Sequence, residues 1–326
     1  MTAPNLLIVA QAGRLAYEAV IFAASLRHCD PGFAGRVICA VPETGTLWPV
    51  ETRLPDPVRE VLGRLDVEIR PFEARIWGQR YPQGNKIEAL ALLPEGEPFL
   101  FFDTDTLITG PLSRIDFNAA RPTASMRREP TWPVVPPYGP SADRIWQSLY
   151  DRFGLDFASS LDPAEPAYSW ERHLYFNAGW FLGPCPHRFG ALFRDYARSI
   201  ETDPPAELAS QALYPWLDQI ALPLVIHGLG GGRPGPDLSG LDGDASCHYR
   251  ALPLLYARES DHAIGVIESC LAPNPIKRVV KSHDPVRRIV FQGRGERIRA
   301  AFDQQALPRR EAVIRNRIRN LGLWVR

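Results

Sequence analysis

Along the first hundred residues, short unbroken apolar runs alternate with longer amphipathic stretches. "NLLIVA" has no polar residue inside its apolar run at 6–10, the signature of a strand buried on both faces. "LAYEAVIFAASLRHC" spaces alanines and large apolar side chains as a helix does, and "GRVICAV" is a second strand closed by the turn residues "PETG". "PVREVLGRL" predicts a short helix and "VEIRPF" a third strand. "GNKIEALALL" predicts a helix that starts near Asn85, a good N-cap, and is stopped by Pro94. "PFLFF" is then a fourth strand that runs straight into "DTD". Strands alternating with helices in this way predict an α/β fold around a mainly parallel sheet flanked by helices.

Beyond residue 111 the rhythm changes. "EPTWPVVPPYGPS" at 129–141, rich in proline and aromatics, predicts a long irregular loop. "ADRIWQSLYDRFGL" and "HRFGALFRDYARSI" are helices, with a strand at 175–182 in "YFNAGWFLG" between them. "YPWLDQIALPLVIHGLGGGRPG" predicts a helix end, a strand and a glycine-rich loop, and "KRVVKSHDP" a last short strand meeting a histidine. From Arg287 onward eleven arginines face only Glu296, Asp303 and Glu311, with Val313, Ile314, Ile318, Leu321 and Trp324 at roughly helical spacing. This basic tail has two readings: an amphipathic helix lying on an anionic membrane surface, or a helix packing its Ile and Trp on the body of the protein. The second is preferred.

Composition narrows the class. The chain has 326 residues, 45% of them hydrophobic, enough for a sizeable core. Its formal net charge is zero, which gives no electrostatic case for nucleic acid. Only Lys86, Lys277 and Lys281 among the 37 basic residues are lysine, so a lysine in the first 276 residues stands out. The five cysteines form no Cys-x-x-Cys pair and read as reduced thiols in a cytoplasmic protein. The N-terminus has no basic segment ahead of its apolar run and reads as a first strand, not a signal peptide. No apolar stretch approaches the ~20 residues that span a bilayer.

The candidate chemistry sits in "FLFFDTDTLITGPL" at 99–112. Two like charges at the end of a buried run are costly unless a cation lies between them. Carboxylates at i and i+2 on a turn leaving a strand converge on a hard divalent cation, Mg²⁺ or Mn²⁺, which keeps open positions for phosphate. An Asp-x-Asp is also common by chance, as a turn capping a helix. Here Asp103 and Asp105 lie at the carboxyl end of a strand, where α/β sheets bind ligands.

The order of "IVAQAGRLAYEAVIFAASLR", "GNKIEALALL", "FLFFDTDTLITGPL", "YFNAGWFLG", "LDQIALP" and "VVKSHDP" resembles nucleotide-sugar glycosyltransferases of the GT-A fold, in the group of glycogenin and the bacterial lipopolysaccharide galactosyltransferases. The resemblance implies one Rossmann-like GT-A domain over 1–290, with a nucleotide-binding half at 1–110 and a sugar and acceptor half at 111–290, followed by the basic helical tail 291–326. It implies a metal held by Asp103, Asp105 and a late histidine, His283, with His248 and His262 as the other choices. It places Ala10, Gln11, Tyr17, Lys86 and Thr104 near the nucleotide, and Asn177 and Gly179 along the sugar pocket. Asp218 and Gln219 fall beside the transferred sugar. Each has a plainer reading: Tyr17 as a helix face, Lys86 as a surface cation, Asn177 and Gly179 as a bulged buried strand, Asp218 and Gln219 as a helix end.

The activity implied is metal-dependent sugar transfer from a nucleotide diphosphate sugar, of the UDP type, to an acceptor hydroxyl of a cell-envelope or lipid-linked glycan, with retention at the anomeric carbon. The alternatives are a non-catalytic nucleotide-sugar scaffold and a haloacid-dehalogenase-type phosphatase. That phosphatase motif usually opens its chain, whereas three strands precede this one. "GLGGGRPG" at 228–235 lacks the lysine-serine pair of a phosphate loop and reads as a flexible loop.

Overall fold

The computed structural model describes residues 3–325. Its strands are β1 Asn5–Val9, β2 Val37–Pro42, β3 Val67–Phe72, β4 Phe99–Phe102, β5 Thr106–Ile108, β6 Thr123–Met126, β7 Phe176–Gly183 and β8 Ser246–His248. Six of them form the main sheet, in the order β3-β2-β1-β4-β7-β6. The first four run parallel, and β7 and β6 close the far edge antiparallel. A separate two-stranded ribbon pairs β5 with β8. This is the α/β, mainly parallel architecture expected from the sequence.

Side-chain alternation builds two cores. Leu6, Ile8, Leu100 and Phe102 face one side of the sheet, while Leu7, Phe99 and Phe101 face the other. Helices Arg14–Cys29 and Asp261–Cys270 cover the first side, and Pro186–Thr202 and Leu217–Gly228 the second. The unbroken apolar runs of β1 and β4 follow from this double burial.

Two local expectations change. The strand expected within "IALPLVIHG" is helix, continuous from Leu217 to Gly228 with Pro223 inside it. An apolar run buried on all sides does not distinguish strand from helix by its period. The strand expected in "KRVVKSHDP" is also absent: helices Asn274–Val280 and Asp284–Val290 take its place, each with proline in its first turn. Proline there is a helix-start signal, because its fixed φ suits the first turn and its missing N–H is not needed. The helix at Asn85 is a single α-turn, Asn85–Glu88, followed by a 3₁₀ turn, and the Asn85 side chain does not cap it. After residue 290, Ile298, Phe302, Ile314, Ile318 and Leu323 are buried in the same core as β1, leaving Val313 and Leu321 exposed.

Candidate functional site

The chain leaves β1 toward β2 and β3 on one side, then returns to lay β4 on β1's other side. The carboxyl ends of β1 and β4 therefore flank the topological switch point, where an open α/β sheet leaves a crevice. Asp103 is the first residue beyond β4, and its N–H is held by the Gly179 carbonyl at 2.9 Å. Thr104 and Asp105 complete the turn into β5.

The β5–β8 ribbon brings the third member. Its register sets His248 opposite Thr106, so the His248 ring reaches back over the turn. His248 Nε2 lies 3.1 Å from Asp105 Oδ1 and 3.8 Å from Asp103 Oδ2. Among the described residues, Asp103, Asp105 and His248 are the one group of three such ligands close enough to hold a metal. His283 is not in it: its ring stacks on Tyr17 with centroids 4.8 Å apart, and Ser282 Oγ donates to Tyr17 Oη at 3.2 Å. His262 lies elsewhere too, bonded to the Thr109 carbonyl.

Charges around the turn are arranged in two branches. On one, Lys86 Nζ meets Asp103 Oδ1 at 2.9 Å, Asp218 Oδ2 at 3.3 Å and the Ala178 carbonyl at 3.3 Å. An ammonium has three N–H donors, so none remains for a phosphate. Lys86 is a buried strut between two carboxylates. Burial works against its charge, and the two aspartates more than offset it, holding its pKa above the ordinary lysine value. Asp218 is fixed further by Tyr81, whose hydroxyl accepts the Asp218 N–H and donates to Oδ1, both at 2.8 Å. On the other branch, Arg14 Nη1 lies 2.5 Å from Glu18 Oε1 and 3.7 Å from Asp105 Oδ2. Burial raises the pKa of Asp103 despite Lys86, whereas His248 and Arg14 overcome burial at Asp105 and pull it below its ordinary value.

The charge balance tests whether a divalent cation fits. Asp103, Asp105 and Asp218 carry three negative charges around the one ammonium of Lys86, with Arg14 shared between Asp105 and Glu18. Carboxylate is in surplus around Lys86, which suits the seat of a divalent cation. Two carboxylate oxygens and one imidazole nitrogen are a donor set that a divalent cation can take.

The bulge in β7 seats the ring of His248. Between Phe176 and Phe181 the pairing with β6 shifts register, and Ala178 takes φ 56°. That left-handed residue is an uncommon conformation for a non-glycine, and it turns the Ala178 carbonyl toward Lys86. Asn177 holds the bulge, its Oδ1 accepting from the Gly179 N–H at 2.6 Å and its Nδ2 donating to Ser125 Oγ at 2.8 Å. A Cβ on Gly179 would lie 2.3 Å from His248 Nδ1 and 2.8 Å from Asn177 Oδ1. The small residue makes room for a histidine. Gly179→Ala is accordingly expected to displace the ring, lowering Mn²⁺ affinity about tenfold and stability by about 1–3 kcal/mol. Metal titration beside thermal unfolding checks this; unchanged metal affinity would contradict it.

The remaining expected residues divide by place. Ala10 is fully buried, its N–H bonded to the Ala40 carbonyl in the sheet. Gln11 is half-buried just beyond β1, and Tyr17 lies with His283 on the Arg14 side. Thr104 is buried, its hydroxyl 3.5 Å from Glu18 Oε2. Gln219 is half-buried next to Asp218 and accepts from Arg127 at 3.4 Å. Arg14, Glu18 and Tyr81 were not singled out by sequence. An Arg-Glu pair at i,i+4 on an otherwise apolar helix was the available signal for the first two.

A model of the Rhodobacterales glycosyltransferase domain matches residues 6–230. No curated protein matches the chain by sequence. The chain is similar to the apo structure of the bifunctional glycosyltransferase WbbM, with 12% identity and a TM-score of 0.48 over 86% of this chain and 52% of that one. It thus spans about half of WbbM's length. It is also similar to the galactosyltransferase LgtC in complex with donor and acceptor sugar analogues, with 13% identity and a TM-score of 0.44 over 86% of this chain and 96% of that one. A third likeness, to the glycosyltransferase GlyE of Streptococcus pneumoniae TIGR4, has 11% identity and a TM-score of 0.39 over 71% of this chain and 46% of that one. Likenesses this low assign neither a substrate nor a residue's role.

Proposed function

Because this chain belongs to the Rhodobacterales glycosyltransferase domain family, we propose that it moves a sugar from a nucleotide diphosphate sugar to an acceptor hydroxyl, with Asp103, Asp105 and His248 as the protein ligands of a divalent cation. The observation that carries this is the Asp-Asp-His group at the switch point, its three ligand atoms within 4.8 Å of one another. The mainly parallel sheet with an Asp-x-Asp turn at its mouth supports the GT-A type.

Bound there, a divalent cation supplies positive charge to the departing diphosphate. The chain's own residues do the rest. Asp103 and Asp105 are held open by Lys86 on one side and Arg14 on the other, so their orientation is set before any donor arrives. The Tyr17–His283 stack on the Arg14 side offers a flat surface to the base or ribose. On the opposite side the half-buried Gln219 brings an amide, a group that binds sugar hydroxyls, while the buried Asp218 beside it holds Lys86 in place. A cavity of about 390 Å³ opens beside His248 and Asn177, walled by Arg128, Asp242, Arg250 and Glu311, and is the entry for an acceptor. The acceptor is a glycan, and a lipid-linked or envelope glycan fits the basic tail. No described helix is long and apolar enough to cross a membrane.

The test is donor hydrolysis without acceptor. A panel of nucleotide sugars, UDP-sugars first, is incubated with the protein and Mn²⁺. Slow release of the nucleotide diphosphate is expected, stopped by a chelator and restored by added Mn²⁺. Hydrolysis of phosphate monoesters alone would favour a phosphatase. Tight donor binding with no turnover would leave a scaffold.

A further inference from the structure

The segment after residue 290 supplies a buried carboxylate to the neighbourhood of His248. Glu311 opens the last helix, Glu311–Asn320, and is 9% exposed. Its Oε2 meets Arg250 Nη1 at 3.0 Å and Arg258 Nη1 at 2.6 Å, and its Oε1 meets Arg315 Nη2 at 2.6 Å. Its backbone N–H donates to Glu129 Oε1 at 3.3 Å. Burial alone would raise its pKa; Arg250, Arg258 and Arg315 bring it down to about 2.

Two of those arginines bracket one stretch of chain. Arg250 lies two residues after His248, and Arg258 ends the helix Leu252–Arg258 beyond it. Arg250 sits at φ 62°, a left-handed conformation that is strained for a non-glycine residue. That turn has a specific result: the N–H groups of Tyr249 and Arg250 both point at the Asp105 carbonyl, at 3.0 and 3.4 Å. One strained residue thus ties the backbone beyond His248 to the backbone of Asp105. Nothing in the local sequence favours that turn at arginine. The Ala251 N–H closes the turn on the Tyr249 carbonyl at 2.7 Å, and the Arg250 side chain is anchored outside it by the ion pair with Glu311.

We infer that Glu311 is a positioning residue of the candidate metal site: through Arg250 it holds the strained turn that keeps His248 against Asp105. This rests on His248 being a ligand. It makes the C-terminal helix part of the catalytic body, whatever further contacts its exposed face makes.

The test is a double-mutant cycle read by Mn²⁺ titration, followed by electron paramagnetic resonance, with thermal unfolding alongside. Glu311→Gln is expected to weaken Mn²⁺ binding about tenfold. Glycine adopts positive φ without strain, so Arg250→Gly removes the need for the latch. In that background Glu311→Gln is expected to change Mn²⁺ affinity by less than about twofold. Equal losses in both backgrounds, or no loss in the first, would overturn the inference. If Glu311→Gln does not fold, Glu311→Asp, with its shorter arm, is read in the same cycle. If the wild-type protein binds no Mn²⁺, the proposed function fails, and amide exchange at positions 249 and 250 still decides the latch. Faster exchange in Glu311→Gln, reversed by Arg250→Gly, supports it, and unchanged exchange refutes it.

Discussion

Asp105→Asn is expected to lower sugar transfer by at least about 10³-fold, the several kcal/mol that a metal contributes to a charged leaving group. The protein should stay folded. The substitution keeps shape, and it removes one charge from a cluster in which Asp103 lies close by. Mn²⁺ affinity should fall with activity, while the unfolding temperature moves little. Full activity in this variant would end the metal-dependent reading. The same titration separates the two histidines. His248→Ala is expected to lose about 10–100-fold in Mn²⁺ affinity. His283→Ala is expected to keep that affinity and to raise the KM for the donor, because its ring lies on Tyr17. The opposite pattern would make His283 the ligand.

Lys86→Met carries the largest expected effect on stability. Methionine retains the apolar stem that fills the space near Phe101. It strands Asp218, which is 1% exposed, along with the Ala178 carbonyl, and leaves Asp103 without its partner. Breaking a buried pair by removing one member costs about 3–5 kcal/mol. For a chain of this size that is on the order of 10 °C in the unfolding temperature. Thermal unfolding by circular dichroism measures it. The double variant Lys86→Met with Asp218→Asn should recover part of the loss, since the uncompensated charge is then gone. An unfolding temperature within about 2 °C of wild type would show that Lys86 is not the strut described.

The two effects are distinct although the residues touch. Asp105 faces the crevice, where its charge waits for a ligand. Asp218 faces inward, where its charge is already matched by Lys86 and Tyr81. One carboxylate is therefore expected to matter for turnover, and the other for both turnover and folding.

The parallel half of the sheet was legible from sequence because double burial leaves an unmistakable mark. A run as short as 99–102, with Pro98 before it and Asp103 after it, is the length of a strand and too short for a helix. The Asp103–Asp105 pair was legible for the same reason, since its strand fixes where the turn must fall. Apolar runs without a period were not legible: "IALPLVIHG" is a helix because its neighbours surround it. Prolines 275 and 285 marked helix starts that the β-branched "RVV" obscured.

What the sequence determined by itself is local: an α/β chain, a carboxylate pair at a strand end, a rare lysine, a glycine beside an asparagine. Only the tertiary structure decided what these residues face. It turned Lys86 inward, gave Gly179 to the His248 ring, and brought His248 rather than His283 to the aspartates. The reason is sequence separation. His248 lies 143 residues from Asp105, and its place is set by the register of a three-residue ribbon. No propensity or spacing encodes that register; it emerges from packing among elements far apart in the chain.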